Sequence, residues 1–186
     1  MNKIIIYGSC YGTAKMYAEE LSKRTLIKAV DFEDVKNPRE IAECETIVYV
    51  GALYAGGVLG MAKTFKRLEA VGGCGWWKSK KIIIATVGLA DPLDAENICN
   101  IKKGMKRQLS DEIFEKAEIF HLRGGIDYSK LKIAHKTMMG LLYHKAKNLP
   151  EAEKDAETRP MIETYNSVVN FVDFNALSPI ADVILG

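Results

Sequence analysis

The chain has 186 residues, 48% of them hydrophobic and 27% charged, which suits one soluble globular domain with a substantial core and requires no second one. A formal net charge of +2 accompanies no feature of a nucleic-acid partner. Cys10, Cys44, Cys74 and Cys99 form no C-x-x-C pair and have no histidine spacing for zinc or an iron–sulfur cluster, so no metal is expected.

The cysteines read as reduced thiols of a cytoplasmic protein. The amino-terminal residues lack the basic, apolar and small-residue regions of a secretory leader, and no apolar run is long enough to cross a bilayer. Neither secretion nor a spanning helix is expected. From Lys3 to Leu21, KIIIYGSCYGTAKMYAEEL places an apolar strand, a loop of small and hydroxyl-bearing residues, and a helix in direct succession. Ile4, Ile5 and Ile6 suit a parallel strand buried on both faces. Ala14, Tyr17, Ala18 and Leu21 follow the i, i+3, i+4, i+7 spacing of a helix packed on it. The loop is then at a strand's carboxyl end. There the N–H groups of Cys10 to Ala14 lack helical acceptors and the helix dipole adds about half a positive charge, the makings of an anion site. No lysine stands where a Gly-x-x-x-x-Gly-Lys-Ser/Thr triphosphate loop needs one. Gly8 and Gly12 alone do not complete G-x-G-x-x-G, and Asp31 downstream is as well explained by chance. Ser9 and Thr13 supply hydroxyl donors and Gly12 permits close backbone approach, so the loop suits a terminal phosphate monoester held by neutral groups. A mononucleotide such as FMN ends in that group.

Tyr7-Gly8-Ser9-Cys10-Tyr11-Gly12-Thr13-Ala14, followed by Ala18 and Leu21, resembles the flavodoxin signature: an apolar pair and an aromatic, S/T-x-x-G-x-T, then Ala and Leu at fixed offsets. Ala14 replaces the family's last threonine, which removes a hydroxyl contact and keeps the N–H. The resemblance implies FMN bound at Ser9, Cys10, Tyr11, Gly12, Thr13 and Ala14. Electron-shuttle flavodoxins are strongly acidic, and a net charge of +2 departs from them.

Leu26 to Val30 reads as a second strand, and Pro38 opens a short helix. Thr46 to Val50 is a third strand, followed by a glycine-rich loop from Gly51 to Gly57 and a helix with Met61, Phe65 and Leu68 on one face, stopped by Gly72 to Gly75. Ile82 to Val87 forms the fourth strand, with a third loop from Gly88 to Pro92. A helical stretch from Asp94 to Lys116 breaks near Ser110, and Ala117 to Leu122 is the fifth strand. Alternating strands and helices give an α/β, doubly wound, five-stranded parallel sheet with helices on both faces. The flavodoxin resemblance implies the order 2-1-3-4-5, with FMN at the switch point beside the first strand. Residues 1–186 are read as a single flavodoxin-like domain carrying an extra basic helical segment at about 123–157. That segment holds Arg123, Lys130, Lys132, Lys136, Lys145 and Lys147, interleaved with Met138, Met139, Leu141, Leu142 and Tyr143. The acids Glu151, Glu153, Asp155 and Glu157 follow it. Pro160 then opens a last helix with Met161, Tyr165, Val168, Val169 and Val172 facing the core.

The resemblance extends to the second loop, Leu53, Tyr54, Ala55, Gly56 and Gly57, and to Thr86, Val87 and Gly88 before the third, as cofactor-binding positions. Tyr54 is placed to stack on the flavin, its plain alternative being a tyrosine capping the sheet edge. A glycine peptide at Gly56 or Gly57 can turn over cheaply to accept from flavin N5, and a simple turn explains the same residues. The third loop has no aromatic residue, which leaves one face of the ring open to a reactant. Asp91 reads as a helix cap. His121 reads as structural, and His135 and His144 as part of a solvated basic face.

The layout is similar to the flavodoxin-domain group that includes quinone-dependent protoporphyrinogen dehydrogenases. That resemblance implies an FMN-dependent oxidoreductase with a quinone or porphyrinogen partner and peripheral membrane contact through the basic segment. The competing class is a small one-electron carrier serving a redox-protein partner. A phosphoryl receiver is disfavoured, because Tyr7-Gly8 and Gly51-Ala52 stand where its acids belong.

Overall fold

The computed structural model describes residues 2–131, 133–154, 156 and 158–186. Lys132 of the basic segment and Asp155 and Glu157 of the acidic run lie outside the described residues. The elements in chain order are β1 (Lys3–Gly8), α1 (Thr13–Thr25), β2 (Ala29–Asp31), α2 (Pro38–Glu43), β3 (Thr46–Tyr54), β4 (Gly57–Val58), α3 (Met61–Gly72) and β5 (Lys81–Gly88). They continue as α4 (Ala95–Lys106), α5 (Asp111–Lys116), β6 (Glu118–Arg123), β7 (Gly125–Asp127), α6 (Ile133–Lys147), α7 (Thr158–Glu163), β8 (Val168–Asn170) and α8 (Ser178–Leu185).

Five strands pair in parallel in the order β2-β1-β3-β5-β6, which is the predicted doubly wound order, and β4 folds back antiparallel on the end of β3. Strand alternation sorts the apolar runs between two cores. Ile4, Ile6, Ile47, Tyr49, Ile82 and Ile84 turn to one face, against Met61, Phe65 and Leu68 of α3, Ile101 and Met105 of α4, and Ile113 and Phe114 of α5. Ile5, Val48, Val50, Ile83 and Ala85 turn to the other, against Ala14, Tyr17, Ala18 and Leu21 of α1 and Ile180, Ala181 and Ile184 of α8. Burial on both faces is what makes these strands unbroken β-branched runs.

Four expectations are corrected. Leu26 is not in a strand: it ends α1 in the left-handed conformation (φ 58°) and is 92% exposed, and β2 starts at Ala29. The third strand does not stop at Val50. Gly51 and Ala52 pair with Thr86 and Val87, and Leu53 and Tyr54 pair with Val58 and Gly57, so the second loop shrinks to a two-residue turn. The fifth strand begins at Glu118, with Ala117 as the C-cap of α5. The supposed helix through Val172 divides into α7, which ends at Glu163, and β8, which pairs antiparallel with β7.

The last core-facing helix is instead α8. Its final carbonyls are held at the amino edge of the sheet: Lys3 Nζ donates to the Ile184 carbonyl and Lys81 Nζ to that of Val183, both at 2.5 Å. Ile180 is fully buried while Leu185 is 58% exposed. Ile180→Ala is therefore expected to lower unfolding stability by about 2–5 kcal/mol in urea titration, and Leu185→Ala by less than about 0.5 kcal/mol.

Thr86 Oγ1 and His121 Nδ1 lie 2.7 Å apart across β5 and β6. Burial first, then the charge of Lys102, pushes the His121 imidazole down to about 4 from its ordinary 6.5. Because the unfolded chain then takes up this proton before the folded one, the neutral histidine's contribution is complete above pH 6.5 and is lost as pH falls towards 4. His121→Gln should flatten that part of the stability profile relative to the parent, as read from urea midpoints between pH 7 and pH 4.

Candidate functional site

β1, β3 and β5 end at the same edge of the sheet, and the loops leaving them are pressed together. A Cβ on Gly8 would fall 2.2 Å from the carbonyl oxygen of Leu59, so only glycine lets the chain leave β1 here. Gly12, the N-cap of α1, has φ 93° and open space where a Cβ would stand, and its N–H donates to Ser9 Oγ at 3.1 Å. Met16 N–H makes the first bond of the helix, to the Gly12 carbonyl, so the N–H groups of Thr13 and Ala14 precede the ladder. No acid occupies the first turn of α1. A glycine cradle open above its Cα, hydroxyls at Ser9 and Thr13 and a carboxylate-free helix start fit a phosphate monoester.

The second loop is the β3–β4 turn. Ala55 (φ 51°) and Gly56 (φ 75°) are both left-handed, as a two-residue hairpin turn demands. The C-terminal end of α4 anchors it. Arg107 Nη2 donates to the Gly56 carbonyl at 3.0 Å, and the Gln108 side chain accepts from Val58 N–H (2.7 Å) and donates to Val58 O (3.1 Å). With Arg107 on its carbonyl, the Gly56 peptide exchanges one partner for another if it turns over. Leu53, Tyr54, Ala55, Gly56, Gly57 and Gly88 come together with Leu89 around a cavity of about 150 Å³.

Thr86 and Val87 are placed differently. Thr86 is 1% exposed with its hydroxyl on His121, and Val87 is packed into the α1–α8 core. Asp91 accepts from Leu93 N–H, while the cap of α4 is Asp94, which accepts from Glu96 and Asn97.

Over these loops lies a cap formed by β7, α6, α7 and β8. Ile126, Tyr128, Leu131 and Met139 are its buried centre, and Tyr11, Leu89, Met138 and Met161 pack against them. Tyr143 stacks on Tyr165 at 3.9 Å between centroids, with Tyr128 edge-on to the latter. Tyr11 lies between two larger cavities. One, of about 450 Å³, borders the loop after β1 and is lined by Cys10, Tyr11, Thr13, Asp127, Lys130 and His135 among others. The second, of about 430 Å³, has Tyr54 and Leu89 at its base and Met138, Met139, Leu142 and Met161 around it, with Lys145 and Thr158 as polar groups. Tyr54 Oη donates to Met138 Sδ at 3.7 Å. Burial drives the Tyr11 hydroxyl well above the ordinary tyrosine range, and neighbouring Cys10 adds to the rise.

His135 and the methionines were legible only in part. Met138, Met139 and Leu142 stand out in the sequence as an apolar pattern among lysines, but the pattern does not say what they cover. His135, expected on a solvated face, instead meets the loop after β1, with Nδ1 at 4.0 Å from Cys10 Sγ and its ring edge-on to Tyr11 at 5.8 Å. No local signal joins positions 10 and 135.

Among solved structures, the chain is similar to the Trp repressor binding protein from Bacillus subtilis, at 16% identity and a TM-score of 0.43 over 66% of this chain and 83% of that one. It is similar to the two-electron reduced flavodoxin of Megasphaera elsdenii, at 13% identity and a TM-score of 0.44 over 88% and 98%. Similarity extends to a Fusobacterium nucleatum flavodoxin bound to flavin mononucleotide, at 21% identity and a TM-score of 0.42 over 67% and 71%. No curated protein sequence matches the chain. The model of the flavodoxin domain family matches residues 4–153, which take in all three loops and the whole of α6. The chain belongs to the flavodoxin domain family, and FMN is its cofactor.

Proposed function

We propose that the protein is an FMN-dependent oxidoreductase with a substrate of its own, of the protoporphyrinogen type and linked to a quinone acceptor. The observation that carries this reading is the methionine-lined cavity of about 430 Å³ between the Tyr54 hairpin and α6. A carrier that only exchanges electrons with other proteins has no use for a deep apolar space that runs on from its Tyr54 hairpin under α6, whereas a reactant of large apolar area does.

Bound FMN supplies the two-electron chemistry. The chain's part is to hold and to shield. Ser9, Gly12, Thr13 and the N–H groups of Cys10 to Ala14 fix the phosphate, and Tyr54 stacks on the ring. The turn carrying Ala55, Gly56 and Gly57, anchored by Arg107 and Gln108, presents backbone to the ring edge. Met138, Met139 and Leu142 exclude water from the reactant, and Lys145 supplies a cation for a substrate carboxylate. Residues 1–186 are read as one domain in which the 123–157 segment serves this chamber. α6 also exposes Ile133 (84%) and Leu141 (69%) beside Lys136 and Lys145, a composition that supports reversible contact with an anionic membrane holding the quinone. Among the described residues no helix is long and apolar enough to cross a membrane.

Titrating FMN with refolded apoprotein is expected to quench flavin fluorescence to a one-to-one end point. Gly12→Val should weaken binding about tenfold or more, because a β-branched residue resists φ 93°, whereas Cys10→Ala leaves the backbone contact and most of the affinity. Tyr54→Ala should raise the residual fluorescence and cost about 1 kcal/mol of binding. Unchanged binding in the Gly12 variant would remove the loop from the cofactor site.

Turnover decides the class. With FMN and a quinone under anaerobic conditions, protoporphyrinogen oxidation is expected, and Lys145→Glu should raise KM for the carboxylate-bearing substrate about tenfold without changing FMN affinity. Rapid reduction of cytochrome c with no porphyrin formed would assign the protein to the carriers instead.

A further inference from the structure

We infer that His135 of α6 is a ligand of the FMN terminal phosphate, so that this group is read from the cap as well as from the loop. The inference rests on the FMN reading and goes beyond the flavodoxin loop, whose donors are backbone N–H groups and hydroxyls.

Three observations carry it. The His135 ring lies in the same cavity as Cys10, Tyr11 and Thr13, the positions that line the phosphate cradle. Its one hydrogen-bonding contact among the described residues is Nδ1 to Cys10 Sγ at 4.0 Å, a distance at the limit for sulfur, which leaves Nε2 to meet an incoming oxygen. The ring is also oriented by packing, edge-on to Tyr11 at 5.8 Å and 90°, so the nitrogens are held rather than swinging in solvent. A dianionic monoester bound only by neutral donors keeps its whole charge, and an imidazole N–H is the group that completes such a site.

The surrounding charges agree. Among the described residues Asp127 is the one carboxylate lining that cavity, and it is engaged by Lys130 Nζ at 3.2 Å and by the N–H and hydroxyl of Ser129. Its hydrogen bonds to Ser129, and then those to Lys130, hold its carboxyl below the usual range, so the acid is spent within its own turn. Lys130, with an 84% exposed side chain, is a cation at the rim. The other histidines are elsewhere: His121 is bound to Thr86, and His144 packs on Tyr143.

Riboflavin, which has the ring and the ribityl chain without the phosphate, separates this role from the rest. Fluorescence titration of the full chain with FMN and with riboflavin is compared for the parent, for His135→Phe, which keeps a ring against Tyr11, and for His135→Ala. Both variants are expected to lose about tenfold in FMN affinity while riboflavin affinity stays within about twofold. Retained riboflavin binding also shows that the variants fold. An unchanged FMN-to-riboflavin ratio overturns the inference and leaves the FMN reading intact. An equal loss of both ligands overturns it as well, because His135 would then act only by holding the cap in place. A parent that binds neither flavin overturns the FMN reading, and this inference with it.

Discussion

Everything at this site follows from the way the chain leaves β1 and β3 in opposite directions. β1 sits between β2 and β3 in the sheet, and the helix after it, α1, packs on one face, while the helix after β3 and its hairpin, α3, packs on the other. Two neighbouring strands whose continuations part in this way leave a gap between their carboxyl ends that no side chain of the sheet can fill. Gly8 and the Leu59 carbonyl, in near-contact across that gap, set its width. The loop from Ser9 to Thr13 is on one side of it and the Tyr54 turn on the other.

A gap of this kind is shallow until something covers it. Leu89 contributes an apolar side chain where an aromatic ring would seal the crevice, and the cap supplies what the third loop does not. Its inner surface is chemically divided. Towards α1 it presents His135, Lys130 and the compensated Asp127, and towards the Tyr54 turn it presents methionines and leucine with a single lysine. Tyr11, half-buried between the two, belongs to the loop rather than to the cap, so the boundary between polar and apolar halves is set by the fold's first loop. The methionines give this chamber an adaptable wall, because an unbranched thioether adjusts its shape at little cost.

How far the sequence revealed this depended on how local the interactions are. Ile4 to Ile6 and Ile82 to Ile84 announce strands buried on both faces because each run carries its own evidence, and the loop from Ser9 to Thr13 does so because cradle and helix are contiguous. The extension of β3 is not legible locally, because Gly51 and Ala52 resemble loop residues and become strand only by pairing with Thr86 and Val87 on β5. The β7–β8 ladder joins residues more than forty positions apart, and Val168 and Val169 fit a helical stripe equally well until their partners are known. α8 is only eight residues long, and what defines it is its seat on the sheet. For the same reason the loops predicted the cofactor, whereas the position of His135 depended on a distant part of the chain folding back.

The β7–β8 ladder has one more consequence. Gly125 pairs with Asn170, Phe171 N–H bonds the Gly124 carbonyl, and just beyond, Tyr17 Oη donates to the Arg123 carbonyl and accepts from Asp173 N–H. Arg123 in turn donates to the Leu89 carbonyl and lies 3.8 Å from the centre of the Phe171 ring. Entry and exit of the cap are thus clasped together at one point on α1 and the third loop, and the stretch between them is a closed lobe on a stem. Closing such a lobe costs little more as it lengthens, because the closure entropy grows only with the logarithm of its length. The lobe is therefore a module in the chain's path: its length can change between Arg123 and Asp173 while the strands of the sheet beneath keep their order and register.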